Sequence, residues 1–439
     1  MPNLRAPRGT RDLLPAERAA FARLESIAAD LARRYGYAPV DTPMFEMSEV
    51  IERGVGNVTD IVEKELFRVA PSRGAEHERW ALRPEATAGI VRAYVQHGLH
   101  TLPQPVRFSL VGPMFRYDRP QAGRYRQFWQ WDIEAIGDAG PAIDAEIVEL
   151  GLRFYREAGI PDVVVHLNSI GDAACRPAYV ERLQAYFAGH ASVLPALERE
   201  RLASHPLRLL DSKDPAMAAL IAGAPRIDED LCRPCAEHFA AVREHLEALD
   251  APVELWPTLV RGLDYYSRTT FEYVRRGAEG QQDALGGGGR YDGLVELLGG
   301  KATPAIGFAL GLDRVVLALA GRTIPADSAG PRPTAVVVGA DPKATVARLR
   351  LATELRAAGL AARADLGDRK LGRQLEGAAR DGAHFAVVVG DELADGQVQV
   401  RDLQAGTQHA ANVATLAREL ARAEASHHHG RSGEASHGS

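Results

Sequence analysis

Apolar positions at three- and four-residue intervals open the chain. Phe21, Leu24, Ile27, Leu31 and Tyr35 share one face of a helix at that spacing. Pro15 suits the first turn of this helix and Gly36 its stop. An extended stretch follows from Tyr37 to Pro43. A second helix is predicted from Glu85, just after Pro84, with Val91, Tyr94, Val95 and Leu99 facing inward. From Val106 to Gly137 the pattern turns to aromatic and β-branched residues on either side of Pro120 to Gly123, which predicts a long hairpin. Helical spacing returns over about 141 to 160 through Ile143, Ile147, Leu150 and Phe154, and Val163 to Leu167 reads as a strand. Residues 171 to 250 are helical and charged, hold no evident catalytic cluster, and read as an insertion within a larger domain. Residues 252 to 315 resume the style of strands and glycines.

A Pro/Gly/Ala/Ser segment over 322 to 333 marks the best domain boundary, closing a first domain at 1 to 321. Beyond it, residues 334 to 425 alternate: a strand at Ala335 to Val338, a helix from Lys343 to Ala358, then strand, helix and a strand at Ala386 to Val389. A final amphipathic helix spans Val413 to Ala423. That alternation predicts a small α/β domain. The last residues, 426 to 439, are low in hydrophobicity and are expected to be a disordered tail, with three successive histidines solvated rather than metal-binding.

Composition narrows the classes. The 439 residues are 46% hydrophobic and 25% charged, ordinary for a soluble globular chain of two or three domains. No run of apolar residues is long enough for a membrane span, and the N-terminal segment lacks the apolar core of a secretory signal. Three cysteines suggest a reducing compartment, so a cytoplasmic location is expected. The net charge of −6 argues against a general nucleic-acid coat protein but leaves room for local basic faces. Cys232 and Cys235 form a CxxC without a second pair to complete a zinc set, and read as a helix start with incidental thiols, so no metal site is expected.

The chemistry concentrates in four stretches. Gly112 to Gly137 crowds Arg116, Arg119, Arg124 and Arg126 against one acid, Asp118, before Gln130. Arginine offers a permanent charge and a rigid fork of donors suited to phosphate. On a hairpin, Arg124 and Arg126 would project together; the alternative is a surface hairpin with solvated arginines. LVRGLDYY, Leu259 to Tyr266, sets one arginine among apolar neighbours, where a charge needs a partner. LGGGGRYDG, Leu285 to Gly293, implies backbone approached closely by a ligand, or else a mobile surface loop, and it lacks the spacing of a Walker A sequence. AIGFALGLDR, Ala305 to Arg314, passes from a glycine-containing strand into a helix.

In this order the segments resemble the signatures of class II aminoacyl-tRNA synthetases, and among them the histidyl-tRNA synthetase family. The stretch ending at Pro43 resembles motif 1, which builds that family's dimer interface, and LRPEATAG (Leu82 to Gly89) resembles its histidine-binding segment. FRYDRPQAGRYRQFWQ resembles motif 2, LVRGLDYY and GGGGRYDG the two histidine-specific signatures, and GFALGLDR motif 3. The resemblance spans residues 4 to 425. It implies an α+β fold: an antiparallel sheet flanked by helices, with a helical insertion and a C-terminal α/β anticodon-binding domain whose Arg369, Lys370, Arg373 and Arg380 would form a phosphate-facing stripe.

The resemblance also implies a homodimer that joins L-histidine to tRNA(His) with ATP and Mg²⁺. By similarity, Arg116 would bind the α-phosphate, Arg314 would hold the nucleotide from its other side, and Arg124 would reach the β/γ end. Arg261 would touch both the histidine carboxylate and the α-phosphate. Glu85, Thr87 and Gln130 would receive the α-amino and carboxylate groups, and Glu134 and Tyr266 the imidazole, with Tyr265 and Tyr291 beside them. The chain departs from the family pattern at Ala86, Asp118 and Trp129, the last leaving the shape beside Gln130 open. The competing expectation is the non-catalytic regulatory paralogue of ATP phosphoribosyltransferase, which would lack the terminal domain and the ATP-site arginines.

Overall fold

The computed structural model describes residues 4–434 except 57, 58, 60, 71–78, 122, 278–283, 321–331, 340, 342 and 343. The linker expected over 322 to 333 therefore lies outside the described residues, save its last two. The chain forms two compact units, Met1–Pro325 and Ala326–Ser439.

In the first unit α1 (Pro15–Arg34) carries Pro15 in its first turn, as its sequence predicts. It leads through β1 (Ala38–Pro39) and β2 (Phe45–Met47) to α2 (Ser48–Val55). After β3 (Arg68–Val69) and β4 (Trp80–Leu82), which join β2 in a small sheet, comes α3 (Thr87–Gln96). Its start lies two residues later than the pattern suggested, because Glu85 stays outside the helix. Its carboxylate accepts from the free N–H groups of Thr87 and Ala88, both at 2.9 Å, and so caps the first turn.

The predicted hairpin is β5 (Val106–Phe115) and β6 (Gln127–Ile136), paired from Val106↔Ile136 to Phe115↔Gln127. The long arginine-bearing turn between them keeps only a single Gln121–Arg124 bridge, and its arginines divide: Arg124 lines the cleft described below, whereas Arg126 does not. Arg126 turns back to stack on Tyr117, 3.7 Å from its ring centroid, and donates to Arg8 O at 3.1 Å. Then follow α4 (Pro141–Ala158), β7 (Val163–Ser169), α5 (Arg176–Gly189), α6 (Ala196–Ser204), α7 (Ala218–Ala222), α8 (Arg233–Ala248) and β8 (Val253–Leu255). The unit closes with β9 (Ser267–Arg275), β10 (Ala284–Arg290), α9 (Leu294–Leu297), β11 (Ala305–Gly311) and α10 (Leu312–Leu319).

The main sheet has eight strands in the order β1-β5-β6-β11-β10-β9-β7-β8, antiparallel except for the edge pairs β1/β5 and β7/β8. Alternation along β6 sorts its residues between two faces. Trp131, Ile133 and Ala135 enter a core shared with α1, α4, α8 and α10, whereas Gln130, Asp132 and Glu134 face the other way. Phe239, Val242 and Leu246 of α8 belong to that main core. The insertion with its own core is thus shorter than the sequence suggested: it runs from Ile170 to Ile227, around Tyr179, Leu183, Phe187, Leu209 and Met217.

The second unit holds β12 (Ala335–Gly339), α11 (Thr345–Ala357), β13 (Ala362–Ala364), α12 (Leu371–Arg380), β14 (Phe385–Val389), β15 (Gln397–Asp402), β16 (Gln408–Asn412) and α13 (Val413–Glu434). Its sheet runs β13-β12-β14-β15-β16, parallel around β12 and antiparallel beyond β14. The β15–β16 hairpin was not foreseen; only Val398, Val400 and Ala411 of it are buried, too few to make an apolar run. Residues 426–434, expected as tail, continue α13. Arg369 and Lys370 precede α12 rather than lie on it, and Arg369 pairs with Asp365 at 2.6 Å.

Candidate active site

A cleft of about 450 Å³ lies on the face of the main sheet that carries Gln130 and Glu134. Strand register explains its floor. One row across the sheet reads Glu272, Gly287, Ala309, Asp132 and Leu110; the next reads Thr270, Gly289, Gly307, Glu134 and Phe108. Residues directly opposite share a face, so glycine and alanine stand where larger side chains would fill the space. A Cβ on Gly307 would lie 1.9 Å from Glu134 Oε2, and one on Gly287 would lie 2.8 Å from Arg261 Nη1. One on Gly289 would meet the Tyr266 ring at 3.0 Å. The GGGG stretch is therefore neither a surface loop nor a phosphate loop but a strand, cleared so that Arg261, Tyr266 and Glu134 can lie flat upon it.

At one end of the cleft sits a buried acid. Glu134 accepts from Thr87 Oγ1 at 2.5 Å and from the Tyr291 hydroxyl. Burial pushes its carboxyl up to about 8, partly offset by those two hydrogen bonds and reinforced by the charge of Glu85. Glu85 is itself shifted upward by burial, against its bonds to the α3 amides, and Tyr265 approaches it at 3.4 Å. Tyr265 packs tilted against Tyr266 and edge-on against Tyr291, with ring centroids 4.7 and 5.7 Å apart, and burial raises all three phenols.

At the other end, near Gln130 and Gly311, the charge reverses. Arg116 donates Nε to Pro84 O at 2.9 Å and covers the Phe128 ring at 5.4 Å. Arg124 reaches Asp118 at 3.4 Å, and Arg314 donates to Ala284 O. Burial holds the Arg314 guanidinium below its ordinary value, and the like charges of Arg124 and Arg116 add to the effect. Between the ends Arg261 pairs with Glu272; burial opposes its charge, but the acid and nearby tyrosines carry its value upward overall. Two rows at about 7 Å each separate Glu134 from Gln130, the reach of an amino acid joined to a nucleoside phosphate. All eleven expected site residues line this cleft or, for Glu134, hydrogen-bond to its walls through Thr87 and Tyr291.

The sequence reading missed several neighbours. Glu272, which neutralises Arg261, is a lone acid in β9. Asp132 is fully buried with no hydrogen-bond partner for either oxygen among the described residues, and burial pushes its carboxyl strongly up; its place two residues from both Gln130 and Glu134 was the available signal. Arg208, Asp211 and Lys213 bring the insertion to the cleft margin. Asp313 binds Trp129 N at 2.7 Å and Arg11 at 2.7 Å, tying the N-terminal segment to α10. Trp129 itself packs edge-on against Phe21 on the far side of the sheet, so its bulk leaves the cleft beside Gln130 unobstructed.

An antiparallel sheet of this order, with a cleft polarised between buried acids and three arginines, defines the catalytic domain of a class II aminoacyl-tRNA synthetase. Comparison with known proteins is specific within that class. The histidyl-tRNA synthetase family model matches residues 9–315, and an anticodon binding domain model matches 334–423. The chain is 44% identical to a histidine–tRNA ligase of Desulforudis audaxviator over 95% of this chain and 98% of that one. It is 46% identical to a histidine–tRNA ligase of Moorella thermoacetica, covering 93% and 96% respectively. The apo histidyl-tRNA synthetase of S. aureus superposes with a TM-score of 0.79 at 32% identity, over 95% of this chain and all of that one. The chain belongs to the histidyl-tRNA synthetase family and is a histidine–tRNA ligase. A Bacillus halodurans structure titled as an ATP phosphoribosyltransferase regulatory subunit/histidyl-tRNA synthetase is 21% identical, with a TM-score of 0.60, and shares the fold alone; the regulatory alternative is not favoured.

Proposed function

We propose that the cleft's acidic end receives the imidazole of L-histidine and its arginine end the phosphates of ATP. The observation that carries this assignment is Glu134, buried beneath Thr87 and Tyr291 and facing room left by Gly307. A site built around hydrogen bonds to a polar side chain rejects apolar analogues strongly. Tyr266 serves the second imidazole nitrogen, with Tyr265 and Tyr291 as walls. Glu85, Thr87 and Gln130 receive the α-amino and carboxylate groups; Gln130 Oε1 is buried without a partner among the described residues, an acceptor suited to the ammonium.

In the first step a histidine carboxylate oxygen attacks the α-phosphorus of ATP in line and pyrophosphate leaves, giving histidyl-adenylate. Arg116 and Arg261 neutralise charge at the α-phosphate, Arg124 holds the β/γ end, and Arg314 holds the nucleotide from the opposite side. Mg²⁺ enters with ATP as part of the substrate. On the protein side Glu272, Asp118 and Asp313 are already engaged by Arg261, Arg124 and Arg11, so arginine carries much of the neutralisation. In the second step a hydroxyl of the terminal tRNA ribose attacks the adenylate carbonyl and AMP leaves. The protein acts in the cytoplasm, where its tRNA is, and as a homodimer; a sedimentation mass of one protomer would refute the latter. Among the described residues no helix is long and apolar enough to cross a membrane.

Pyrophosphate exchange into ATP tests the central reading. Exchange should depend on histidine and on no other amino acid; exchange driven by another amino acid would overturn it.

A further inference from the structure

The two ends of the insertion meet at a cluster of soft ligands. Asp172 and Cys175 lie where the chain leaves β7 for α5, and Cys232 and Cys235 lie where it enters α8. Sixty residues apart in sequence, the four side chains place one oxygen and three sulfurs all within 4.8 Å of one another. The CxxC thus has the second half that its sequence seemed to lack, supplied by a DxxC.

The two oxygen–sulfur separations approach those of a closed coordination shell. Tetrahedral zinc, with Zn–S near 2.3 Å and Zn–O near 2.0 Å, sets sulfurs about 3.8 Å apart and sulfur and oxygen about 3.5 Å apart. Asp172 Oδ1 stands 3.5 Å from Cys175 Sγ and 3.9 Å from Cys232 Sγ. The local backbone serves the same arrangement. A Cβ on Gly171, whose φ is +65°, would lie 2.7 Å from Cys175 Sγ, so only glycine leaves the sulfur its position. Cys175 and Cys232 are the residues that precede the first turns of α5 and α8, so two helix starts meet at the cluster. Arg268 reaches Asp172 Oδ2 at 3.5 Å, a cation beside the cluster. Cys175 and Cys235 are buried, while Asp172 and Cys232 are half-buried and leave a path for entry.

We propose that Asp172, Cys175, Cys232 and Cys235 bind one zinc-class dication that clasps the two ends of the insertion. Binding releases three thiol protons to solvent and exchanges them for one metal ion. The clasp is structural, since four protein ligands leave no open position. It also lies close to the specificity signature: Arg176, next to Cys175, donates to Tyr266 O at 2.6 Å. This inference stands apart from the assignment of histidine-site roles.

The full chain, grown with zinc and passed over a weak chelator, should retain about one zinc per protomer by elemental analysis. Cobalt exchanged into it should show thiolate-to-metal charge-transfer absorption and strong tetrahedral bands. Cys232→Ser with Cys235→Ser should lose both signals, whereas His427→Ala with His428→Ala and His429→Ala should keep them. Asp172→Cys should retain cobalt and raise the charge-transfer intensity by about one third, as a fourth thiolate joins three, so the proposal stays testable if the double variant does not fold. Three free thiols and no zinc in the native chain would overturn the proposal, as would a Cys232–Cys235 disulfide, or metal lost with the histidine substitutions.

Discussion

Glu134 holds its proton across the neutral range because it is buried, and that has a thermodynamic signature. Its value lies at about 8 in the folded chain against an ordinary 4.5. An unfolded chain gives up this proton first, so the folding contribution is fully present below about 4.5 and is lost as pH rises to about 8. Glu134→Gln should flatten the fall in melting temperature across that window and, by removing an acid from the imidazole pocket, lower histidine-dependent exchange. Parallel melting curves for both proteins would count against the buried acid. Arg261 is a different case, since its guanidinium is already neutralised by Glu272 before any substrate arrives. Arg261→Ala should reduce single-turnover adenylation by about 100-fold or more, the scale of one lost donor at a developing charge, while ATP affinity changes far less. An unchanged single-turnover rate would remove it from the chemistry.

At the scale of elements, β10 and β11 show what spacing conveys and what it leaves out. Amphipathic helices and the β5–β6 hairpin were legible because burial on one face repeats at 3.6 or 2 residues. The arginines of the site were legible as a cluster, yet their roles were assigned through likeness to a family. Glycines carry no such periodic signal, so Gly286 to Gly289 could be read only as backbone in close approach. What approaches proved to be Arg261, Tyr266 and Phe271 from neighbouring segments. Arg290 at the end of this strand was equally silent: fully buried, it binds Asp144 at 2.6 Å and the carbonyls of Asp138 and Gly140. Pairings over such separations in sequence are set by tertiary packing, as was the joining of Asp172 to a CxxC sixty residues on. Gly307→Ala offers a sharp test of the strand floor. With its new Cβ 1.9 Å from Glu134 Oε2, it should destabilise the first unit by about 1–3 kcal/mol in denaturant titration. It should also weaken histidine binding more than ATP binding. A wild-type midpoint and unaltered histidine affinity would mean that the strands can part at little cost.

For the whole molecule, the two units carry separate cores and separate family matches. A chain ending at residue 320 should retain most adenylate formation and lose tRNA charging. Equal losses of both would mean that the terminal unit is needed for folding rather than for tRNA. Strand order in the first unit bears on how the protein is made. Glu134 lies on β6, but the strand that seats beside it, β11, is not complete until Gly311. While the chain is being synthesised, the histidine pocket stays open on that side until this late strand has emerged. The enzyme's own amino acid can therefore bind, and stabilise the fold by binding, only in chains whose catalytic unit is almost entirely built. Earlier nascent chains expose an unpaired strand edge instead, and are the stage at which aggregation competes with folding.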